Sequence, residues 1–413
     1  MIGVAILGYG TVGSGVYEVL KQNADSIAVK AGDELKVVSV LDLRDFPGEE
    51  VEKVLTHDYE DILNNDDIKI VAEVMGGIEP AFTFSKKALE KGKSVVTSNK
   101  AVVAAKGTEL MKIAKENNAN YLFEASCGGG IPIIRPLCVS LTADKINSIK
   151  GILNGTTNFI LTKMTEEGKA FDEVLKTAQQ LGYAEADPTA DVEGHDACRK
   201  IAILSSLAFG KTVNFEDIYT EGITKITDKD ISYAKKLNSV IKLIGSSQRL
   251  EGGISAKVAP FIISDKHPLA SVNNAFNAIF VNGNMSGDTM YYGSGAGKLP
   301  TASAVCADII DSAIHMGKNV PIDWDLDSTM NVYSVDDVEV KGLIRVAYTD
   351  EAAAKAAVNE IFGINEFTDL DAADDEFAFA TGVETEGSIR KKEADLAAAA
   401  GVSEIRNMIR MEG

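Results

Sequence analysis

Carboxylates cluster in residues 182–200, which read GYAEADPTADVEGHDACRK and end on a lysine. Asp196 and Lys200 are four residues apart, so their side chains share one face if the segment is helical. The residues that follow, IAILSSLAFG, are apolar and typical of a buried helix. A lysine at the mouth of such a helix can protonate a developing alkoxide. On spacing alone an ordinary surface ion pair is the favoured alternative. His195 has no companion at metal-ligand spacing, so we expect it to be structural or solvent-facing rather than catalytic.

A glycine pattern, GYGTVG, places Gly8, Gly10 and Gly13 directly after an apolar run and at the start of a helical pattern. In a dinucleotide-binding turn the first glycine allows the tight turn, and the second lets the pyrophosphate approach the backbone. The third lets helix and strand pack closely, while the helix amino terminus offers NH groups to the phosphates. This context favours a dinucleotide site over a purely structural turn.

The residues expected near the adenosine ribose follow the second apolar run, in VVSVLDLRDFPG. An acidic residue there usually binds the ribose 2'-hydroxyl of NAD, whereas an arginine accommodates the phosphate of NADP. The sequence offers Asp42, Arg44 and Asp45 together. Both NAD and NADP are therefore open, and an Arg44–Asp45 ion pair on a solvated loop is an equal alternative to a phosphate contact.

Three further groups follow expected strands, at the edge where parallel sheets bind ligands. The small residues MGG at 75–77 would let a cofactor approach. TSNK at 97–100 puts Lys100 near a helix start, where a cation is unfavourable unless it has another purpose. Glu124 precedes the loop CGGGI at 127–131, whose oxygens can hold a hard monovalent cation. A flexible interdomain hinge is an equally supported interpretation of that loop.

Alternating strands and helices are expected to position these groups. In the first 130 residues we predict strands at 3–7, 37–43, 68–74, 93–97 and 121–124 and helices at 12–29, 81–91 and 107–117. Such alternation is typical of a mostly parallel sheet covered on both faces. The predicted fold class is α/β, with a Rossmann-type nucleotide-binding domain at 1–130 that is completed by about 293–320.

Residues 131–292 do not alternate strictly, which favours an α+β substrate and dimerisation domain. We expect a loop at NGTTN (154–158), helices at 171–181 and 196–209, and strands at 255–263 and 278–282. A turn, GSGAG at 293–297, then leads into a helix at 302–316. The tail, 340–413, has the pattern strand, helix, strand, strand, helix, strand, with INEFTDL (364–370) as its second strand.

Composition narrows the class of protein. The chain has 413 residues, enough for two or three domains. Its net charge of -20 disfavours a nucleic-acid partner, because phosphate backbones repel an acidic surface. Four scattered cysteines suit a reducing cytosol and form neither a disulfide framework nor a zinc site. The opening MIGVAILGYG is expected to be a core strand rather than a signal peptide, and the apolar runs are too short to span a bilayer. We therefore expect a cytoplasmic protein with no membrane partner.

The chain resembles homoserine dehydrogenases in the order and approximate spacing of its motifs, which are GYGTVG, AEVMGGIEPA, VVTSNKA, FEASCGGGIPII, NGTTNFIL, GYAEADPTADVEGHDACRK and GSGAGKLPTASAV. The resemblance extends to about Asp311, and its most specific part is residues 182–200. It implies the reversible reduction of L-aspartate 4-semialdehyde to L-homoserine with NAD or NADP, in the pathway to threonine, methionine and isoleucine. It also implies a homodimer or homotetramer.

The resemblance implies roles for residues at matching positions. Lys200 resembles the proton donor to the carbonyl oxygen, and Lys100 resembles a second active-site lysine. Asp196 resembles a substrate ligand that also orients Lys200, and the other implied substrate contacts are Glu185, Asp191 and Tyr183. The implied cofactor contacts are Gly8, Gly10, Thr11, Val12, Gly13, Arg44, Gly76, Thr97, Ser98, Lys100, Gly295 and Gly297. The implied sodium ligands are Glu124 and the carbonyls of Cys127, Gly129 and Ile131.

The tail resembles the small ACT regulatory domain (βαββαβ) of many bacterial homoserine dehydrogenases. ATGVETEGSIRKK and the ending IRNMIRMEG match its second half. The first half departs from the pattern, because the ligand turn reads TDEAAAKAA without glycine or proline. An amino-acid effector needs backbone NH groups exposed at that turn, so we hypothesise a structural or assembly role for this ACT-like domain.

Two alternatives belong to other functional groups. A related Rossmann reductase acting on another small amino-acid semialdehyde would keep the glycine pattern but use different carboxylates. A cofactor-sensing, ACT-bearing regulatory protein would have no turnover. Such a sensor has no need of a proton donor, so the set Glu185, Asp196 and Lys200 argues against it.

We predict that micromolar L-threonine leaves the activity unchanged, because the altered turn exposes no NH groups to the effector. Titration of the protein with threonine, followed by activity and by calorimetry, measures this. Clear inhibition in the micromolar range would show that feedback regulation is retained.

Overall fold

A computed structural model of the chain describes residues 1–320, 322, 324–370 and 375–412. Contacts divide it into two units, each assembled from separate stretches of sequence. The first unit contains Met1–Ile149, Ala202–Phe215 and Val281–Met330, and the second contains Lys150–Ile201, Glu216–Phe280 and Asn331–Gly413. The boundaries of the three predicted domains stay predictions. Within the described residues, no helix is both long and apolar enough to cross a membrane.

The described residues form strands and helices along the whole chain. The strands are β1 (Ile2–Leu7), β2 (Leu35–Leu41), β3 (Leu55–Thr56), β4 (Ile68–Glu73), β5 (Ser94–Thr97), β6 (Tyr121–Leu122), β7 (Ile146–Ile152), β8 (Lys211–Thr212), β9 (Tyr219–Thr220), β10 (Ser239–Leu250), β11 (Gly253–Ser264), β12 (Phe276–Gly283), β13 (Gly287–Ser294), β14 (Asp325–Thr329), β15 (Glu339–Tyr348), β16 (Glu376–Ala380), β17 (Glu384–Thr385) and β18 (Val402–Met411). The helices are α1 (Thr11–Gln22), α2 (Ala24–Ala31), α3 (Tyr59–Leu63), α4 (Ala81–Glu90), α5 (Lys100–Glu116), α6 (Gly155–Glu167), α7 (Phe171–Gln180), α8 (Thr189–Val192), α9 (His195–Phe209), α10 (Asp228–Lys236), α11 (Lys298–Ile314), α12 (Glu351–Phe362) and α13 (Glu386–Ala397).

The first unit contains a parallel sheet with strand order β3-β2-β1-β4-β5-β6. All six residues of β1 are buried, as expected for a strand covered on both faces. β2 and β3 lie on one side of β1, and β4 to β6 lie on the other, so the strand order reverses between β1 and β4. Doubly wound sheets bind dinucleotides at this point. The predicted α/β class with a Rossmann-type sheet is confirmed. The helix predicted at 12–29 is instead two helices, α1 and α2, separated at Asn23.

Capping asparagines explain two other differences from the predicted helices. α5 begins at Lys100 rather than at residue 107, because the Asn99 side chain accepts a hydrogen bond from the backbone NH of Val102. NGTTN, predicted to be a loop, instead starts α6, because the Asn154 side chain accepts from the NH of Thr157. An asparagine before each helix was the signal present in the sequence, since this residue is favoured at the helix N-cap.

The second unit contains a mixed sheet. Its strands β10 and β11 form an antiparallel pair from Ser239 opposite Ser264 to Leu250 opposite Gly253. β18 lies parallel to β11 on one side and antiparallel to β15 on the other, and β16 follows antiparallel to β15. The residues of β18 therefore continue a sheet that begins in the middle of the sequence. A mixed α+β second region agrees with the sequence-based expectation, although β10 was not predicted.

The tail follows the order β15, α12, β16, β17, α13, β18 around its own apolar core. INEFTDL is not a strand: Thr368 forms an isolated bridge with Ala378. Ile364 and Phe367 both pack on the tail core, and their spacing of three residues does not fit the two-residue period of a strand. Residues 371–374 and 413 of the predicted tail domain lie outside the described residues. The ACT-like assignment stays a prediction.

A buried carboxyl group, that of Glu73, ends β4 at the carboxyl edge of the parallel sheet. One of its oxygens accepts from the backbone NH of Met75 at 2.8 Å, and the other accepts from the Thr97 hydroxyl at 2.7 Å. Glu73 therefore ties the loop after β4 to the loop after β5. Burial raises the pKa of Glu73 to about 7, although these hydrogen bonds act in the opposite direction.

As the pH rises from about 5 to about 8, we expect the Glu73→Gln variant to lose less folding stability than the unsubstituted protein. The pKa of Glu73 is higher in the folded chain than the ordinary 4.5. Its contribution to stability is therefore complete below that ordinary value and is lost as the pH rises through about 7. This loss amounts to about 3 kcal/mol or less, and an amide does not undergo it. Thermal unfolding midpoints across this pH range measure the difference.

Glu90→Gln is the matched control, because Glu90 is an exposed carboxylate on α4 of the same unit. We expect its unfolding midpoint to change with pH as in the unsubstituted protein. If the unfolding midpoint of Glu73→Gln changed with pH in the same way as the midpoints of Glu90→Gln and the unsubstituted protein, the raised pKa of Glu73 would be contradicted.

Candidate active site

Lys200 and Asp196 form a buried ion pair on α9 in the second unit. The Lys200 ammonium donates to Asp196 Oδ2 at 2.8 Å and to the backbone carbonyl of Leu153 at 2.7 Å. The predicted pairing of residues four apart is confirmed, and the surface alternative is wrong because both side chains are buried. Two fixed acceptors hold the ammonium in one position, as a proton donor requires.

Asn154 joins the two carboxylates of this site. Its side-chain NH2 group donates to Asp191 Oδ1 at 2.7 Å and to Asp196 Oδ2 at 2.9 Å. The same residue caps α6 through its carbonyl oxygen. We call Asn154, Asp191, Asp196 and Lys200 the carboxylate–lysine cluster. Asn154 received no role from the sequence, and its only signal was the motif NGTTN.

Asp191 is half-buried in this cluster. Burial raises its pKa, and the neighbouring Asp196 carboxylate raises it further, whereas the hydrogen bond from Asn154 and the Lys200 charge oppose these effects. The cluster thus places two carboxylates beside one ammonium. Its excess negative charge favours a cationic group in the space around it.

Glu185 and Tyr183 lie on the segment between α7 and α8. Both side chains are exposed. The Tyr183 ring lies against Phe159, with 4.8 Å between ring centroids, and its backbone carbonyl accepts from the Thr156 hydroxyl at 2.6 Å. Both contacts are with α6, whose capping residue is Asn154. The segment is therefore attached to the same helix as the carboxylate–lysine cluster.

The glycine turn of the first unit has the geometry of a phosphate-binding turn. Gly8 has a φ of +93°, which favours glycine. A Cβ at Gly13 would lie 1.9 Å from the Gly8 carbonyl oxygen, so only glycine fits there. A Cβ at Gly10 would meet no atom within 4 Å, which leaves the backbone open to a ligand. Thr11 and Val12, also expected to contact the cofactor, are the first residues of α1.

Asp42 and Arg44 form a closed arrangement at the end of β2. The Asp42 carboxylate accepts four hydrogen bonds, from the backbone NH of Tyr9 and from the NH, Nε and Nη2 of Arg44. The Arg44 guanidinium lowers the pKa of Asp42. Four bonds fill the acceptor sites of a carboxylate. In place of the alternative Arg44–Asp45 pair, Arg44 pairs with Asp42, and Asp45 contacts His57.

Gly76 lies in the loop after β4 and Ser98 in the loop after β5, while Thr97 ends β5 and Lys100 begins α5. The Thr97 hydroxyl donates to Glu73 and accepts from the NH of Asn99 at 2.9 Å. The Asn99 side chain also donates to the carbonyl of Gly77 at 2.7 Å. These bonds fix the loops against each other and place Lys100 at the first position of α5. Glu73 was not among the residues predicted from the sequence, where its signal was a single acidic residue inside an apolar strand.

The Glu124 carboxylate accepts hydrogen bonds from the backbone NH groups of Ile133, Ile134 and Arg135 at 2.7 to 2.8 Å. Its oxygens are therefore engaged by the protein, and a cation would have to be held mainly by the carbonyls of the loop, including those of Cys127 and Ile131. The sodium site stays a prediction. In the part of the chain that the structure describes, no group of three His, Cys, Asp or Glu residues could hold a metal ion.

The glycine-rich loop 127–131 lies against the turn GSGAG. A Cβ at Gly129 would lie 2.5 Å from the carbonyl oxygen of Gly295, and the NH of Gly130 donates to the carbonyl of Ser294 at 3.0 Å. Gly297 is the N-cap of α11, with a φ of +124°. Close backbone approach explains the glycine at 129, and the positive φ explains the one at 297; both segments belong to the first unit.

Comparison with known proteins gives consistent matches. A family model described as homoserine dehydrogenase, NAD binding domain, matches residues 8–124, and one described as homoserine dehydrogenase matches residues 132–310. Homoserine dehydrogenase of Bacillus subtilis (strain 168) is 42% identical over 370 residues, which cover 87% of this chain and 84% of that protein. A crystal structure of a homoserine dehydrogenase from Thiobacillus denitrificans is 38% identical with a TM-score of 0.93, and the match covers 100% of this chain and 98% of that chain.

A hyperthermophilic archaeal homoserine dehydrogenase in complex with NADPH is also similar, with 31% identity, a TM-score of 0.64, and coverage of 75% of this chain and 97% of that chain. The first family model begins at Gly8 and includes strands β2 to β6, so the parallel sheet is a binding domain for a nicotinamide cofactor. The second model includes the whole carboxylate–lysine cluster. With these two models matching most of the sequence, and a relative 42% identical over 87% of it, the chain belongs to the homoserine dehydrogenase family.

Proposed function

We propose that the protein catalyses the reversible, NADP-dependent reduction of L-aspartate 4-semialdehyde to L-homoserine in amino-acid biosynthesis. It acts in the cytoplasm as a homodimer or homotetramer. The observation that carries this proposal is the buried Lys200 ammonium, fixed by Asp196 and the Leu153 carbonyl beside a second carboxylate. The ammonium group of a small substrate can pair with these carboxylates while its aldehyde oxygen accepts a proton from Lys200.

Charge balance supports the assignment of the substrate ammonium. Asp191 and Asp196 place two carboxylates beside the single Lys200 charge, and partly buried carboxylates are stabilised by an additional cation. The substrate ammonium supplies that cation and binds near Asp191. Glu185 and Tyr183, on the exposed segment before α8, contact the same substrate from outside the cluster.

Lys200 acts as the general acid in the reductive direction. It protonates the carbonyl oxygen as negative charge develops there, and in the reverse direction it receives the proton of the alcohol. Asp196 holds the Lys200 ammonium in place and stabilises its charge. When bound, the nicotinamide donates or accepts the hydride. The family resemblance gives Lys100, at the start of α5, the role of a second active-site lysine.

The state of Asp42 supports NADP rather than NAD. Its oxygens already accept from the Tyr9 NH and three donors of Arg44, so it has little capacity to accept the ribose 2'-hydroxyl. Arg44 keeps an exposed side chain, and an arginine can bind a phosphate through its guanidinium. We infer that Arg44 binds the 2'-phosphate of NADP.

Lys200→Ala should lower kcat for homoserine oxidation by about 10²–10⁴-fold, the usual contribution of a general acid or base. The affinity for NADPH should be unchanged, because Lys200 lies outside the stretches of the first unit. Formation of NADPH, followed by its absorbance, and a fluorescence titration of NADPH measure the two quantities.

Lys163→Ala is the control, since Lys163 is a lysine on α6 that pairs with Glu166 and Glu167. It should retain normal activity. Full activity of Lys200→Ala would contradict the assignment of Lys200 as the proton donor. No turnover of homoserine by the unsubstituted protein, despite binding of NADPH, would favour another semialdehyde or the sensor alternative.

Arg44→Ala should raise the KM for NADP by about tenfold or more and should leave or improve the KM for NAD. It removes a charged hydrogen bond to the phosphate, and it also releases the Asp42 oxygens for the ribose hydroxyl. Steady-state kinetics with each cofactor at saturating homoserine measure this. Lys36→Ala, which removes an exposed lysine of β2, is the control. An equal change of both KM values in Arg44→Ala would contradict the assignment.

A further inference from the structure

Arg410 is a buried cation on β18 in the second unit. It is 1% exposed and lies opposite Phe261 in the register of β11 and β18. Its Nε donates to Glu386 at 2.9 Å, and its Nη1 donates to Glu221 at 2.7 Å. Removing Arg410 takes a cation away from both carboxylates, of which the buried Glu386 keeps an ion pair with Arg390 at 2.7 Å. The tail is thus joined to Glu221, which lies far from it in sequence.

Glu221 belongs to a short segment, Tyr219 to Ile223, which we call the clamped segment. The Arg410 guanidinium lies 4.9 Å from the centroid of the Tyr219 ring, and the Tyr219 hydroxyl donates to Glu221 at 3.0 Å. The backbone NH of Glu221 donates to the carbonyl of Val258 on β11 at 2.8 Å. One side of the clamped segment is therefore held by the tail and by β11.

The other side of the clamped segment contacts the turn between α8 and α9. The NH of Ile223 donates to the carbonyl of Val192 at 2.8 Å. A Cβ at Gly222 would lie 2.2 Å from the same carbonyl oxygen, so the two backbones touch directly. Asp191 and Val192 are the last two residues of α8, and Asp196 is the second residue of α9, so the two carboxylates flank this turn. A displacement of the clamped segment must therefore move the backbone that carries both carboxylates.

We propose that Arg410 is a positioning residue for the substrate site: it holds the clamped segment against the α8–α9 turn and so fixes Asp191 and Asp196 relative to Lys200. This inference rests on the proposed function of those carboxylates. Through Arg410 the tail then contributes to catalysis by positioning the carboxylates, without binding an effector. Small errors of placement are costly in such a site, since a displacement of about 1 Å can reduce a rate about a hundredfold.

Arg345 provides a matched control within the same sheet. It is 4% exposed on β15 and pairs with two buried carboxylates, Asp230 and Glu376. Its partners belong to α10 and β16 rather than to the clamped segment. Arg345→Met and Arg410→Met therefore remove similar buried charges from the tail, and they differ in the segment that is released.

The test compares steady-state kinetics and thermal unfolding of the two variants as full chains. Arg410→Met should raise the KM for homoserine and lower kcat, together by about tenfold or more in kcat/KM, and leave the KM for NADP unchanged. Arg410→Lys should recover part of this loss, because lysine keeps the charge but not the planar fork. Arg345→Met should unfold at a similarly reduced temperature with near-normal KM values. Equal kinetic losses in both methionine variants, or no loss in Arg410→Met, would overturn the proposal.

Two further measurements separate this inference from the proposed function. If Arg410→Met does not fold, Glu221→Gln removes one charge of the clamp and keeps the Arg410–Glu386 pair, and it should show the same kinetic pattern in milder form. If the unsubstituted protein does not oxidise homoserine, hydrogen exchange of the amides of residues 189–196 still reports on position. Faster exchange there in Arg410→Met than in Arg345→Met supports the clamp, and equal exchange overturns it.

Discussion

Burying a lysine ammonium or a carboxylate away from water is unfavourable by several kcal/mol for each ion, and both Lys200 and Asp196 are buried. The second unit offsets this desolvation with hydrogen bonds to both groups. The Lys200 protons require acceptors, which are Asp196 and the Leu153 carbonyl. Asp196 in turn requires Asn154, which is itself fixed as the cap of α6. The ion pair is therefore stable only when the end of β7, the start of α6 and the start of α9 are all in place.

Several other buried charged groups, among them Asp308, Arg345 and Arg410, are also held by ion pairs. In the first unit, Arg135 donates to Asp308 at 2.6 Å, and Asp308 also accepts from the backbone NH of Glu124. In the second unit, Arg345 and Arg410 each lie between two carboxylates. Each of these charges joins segments that are far apart in sequence. Buried charge therefore gives these contacts a specificity that apolar packing alone does not supply, since an apolar side chain accepts many neighbours.

The sequence predicted the parts of the structure that depend on local patterns. The glycines of GYGTVG, the alternation of strands and helices, and the spacing of Asp196 and Lys200 each follow from neighbours in the chain, and each was found. Asn154, Glu73 and Arg410 were missed because their roles depend on partners from other segments: Asp191, Thr97 and Glu221 respectively. INEFTDL shows the opposite error, in which apolar residues that pack on the tail core were mistaken for a strand. Local patterns therefore indicated which residues are candidates for the reaction, but not which residues hold those candidates in place.

The position of β18 also determines when the second unit can fold. Arg410 pairs with Phe261 in register, and β18 separates β11 from β15 within one sheet. During synthesis, β11 leaves the ribosome long before residues 402–411 are made. The part of its edge at Phe261 and Ile262 therefore has no partner strand until then, whereas Lys257 and Val258 already pair with β9. An unpaired strand edge of this kind is prone to association with other chains. Chaperone demand and sensitivity to premature termination should thus be concentrated in the second unit, while the parallel sheet of the first unit has all its strands within the first 122 residues.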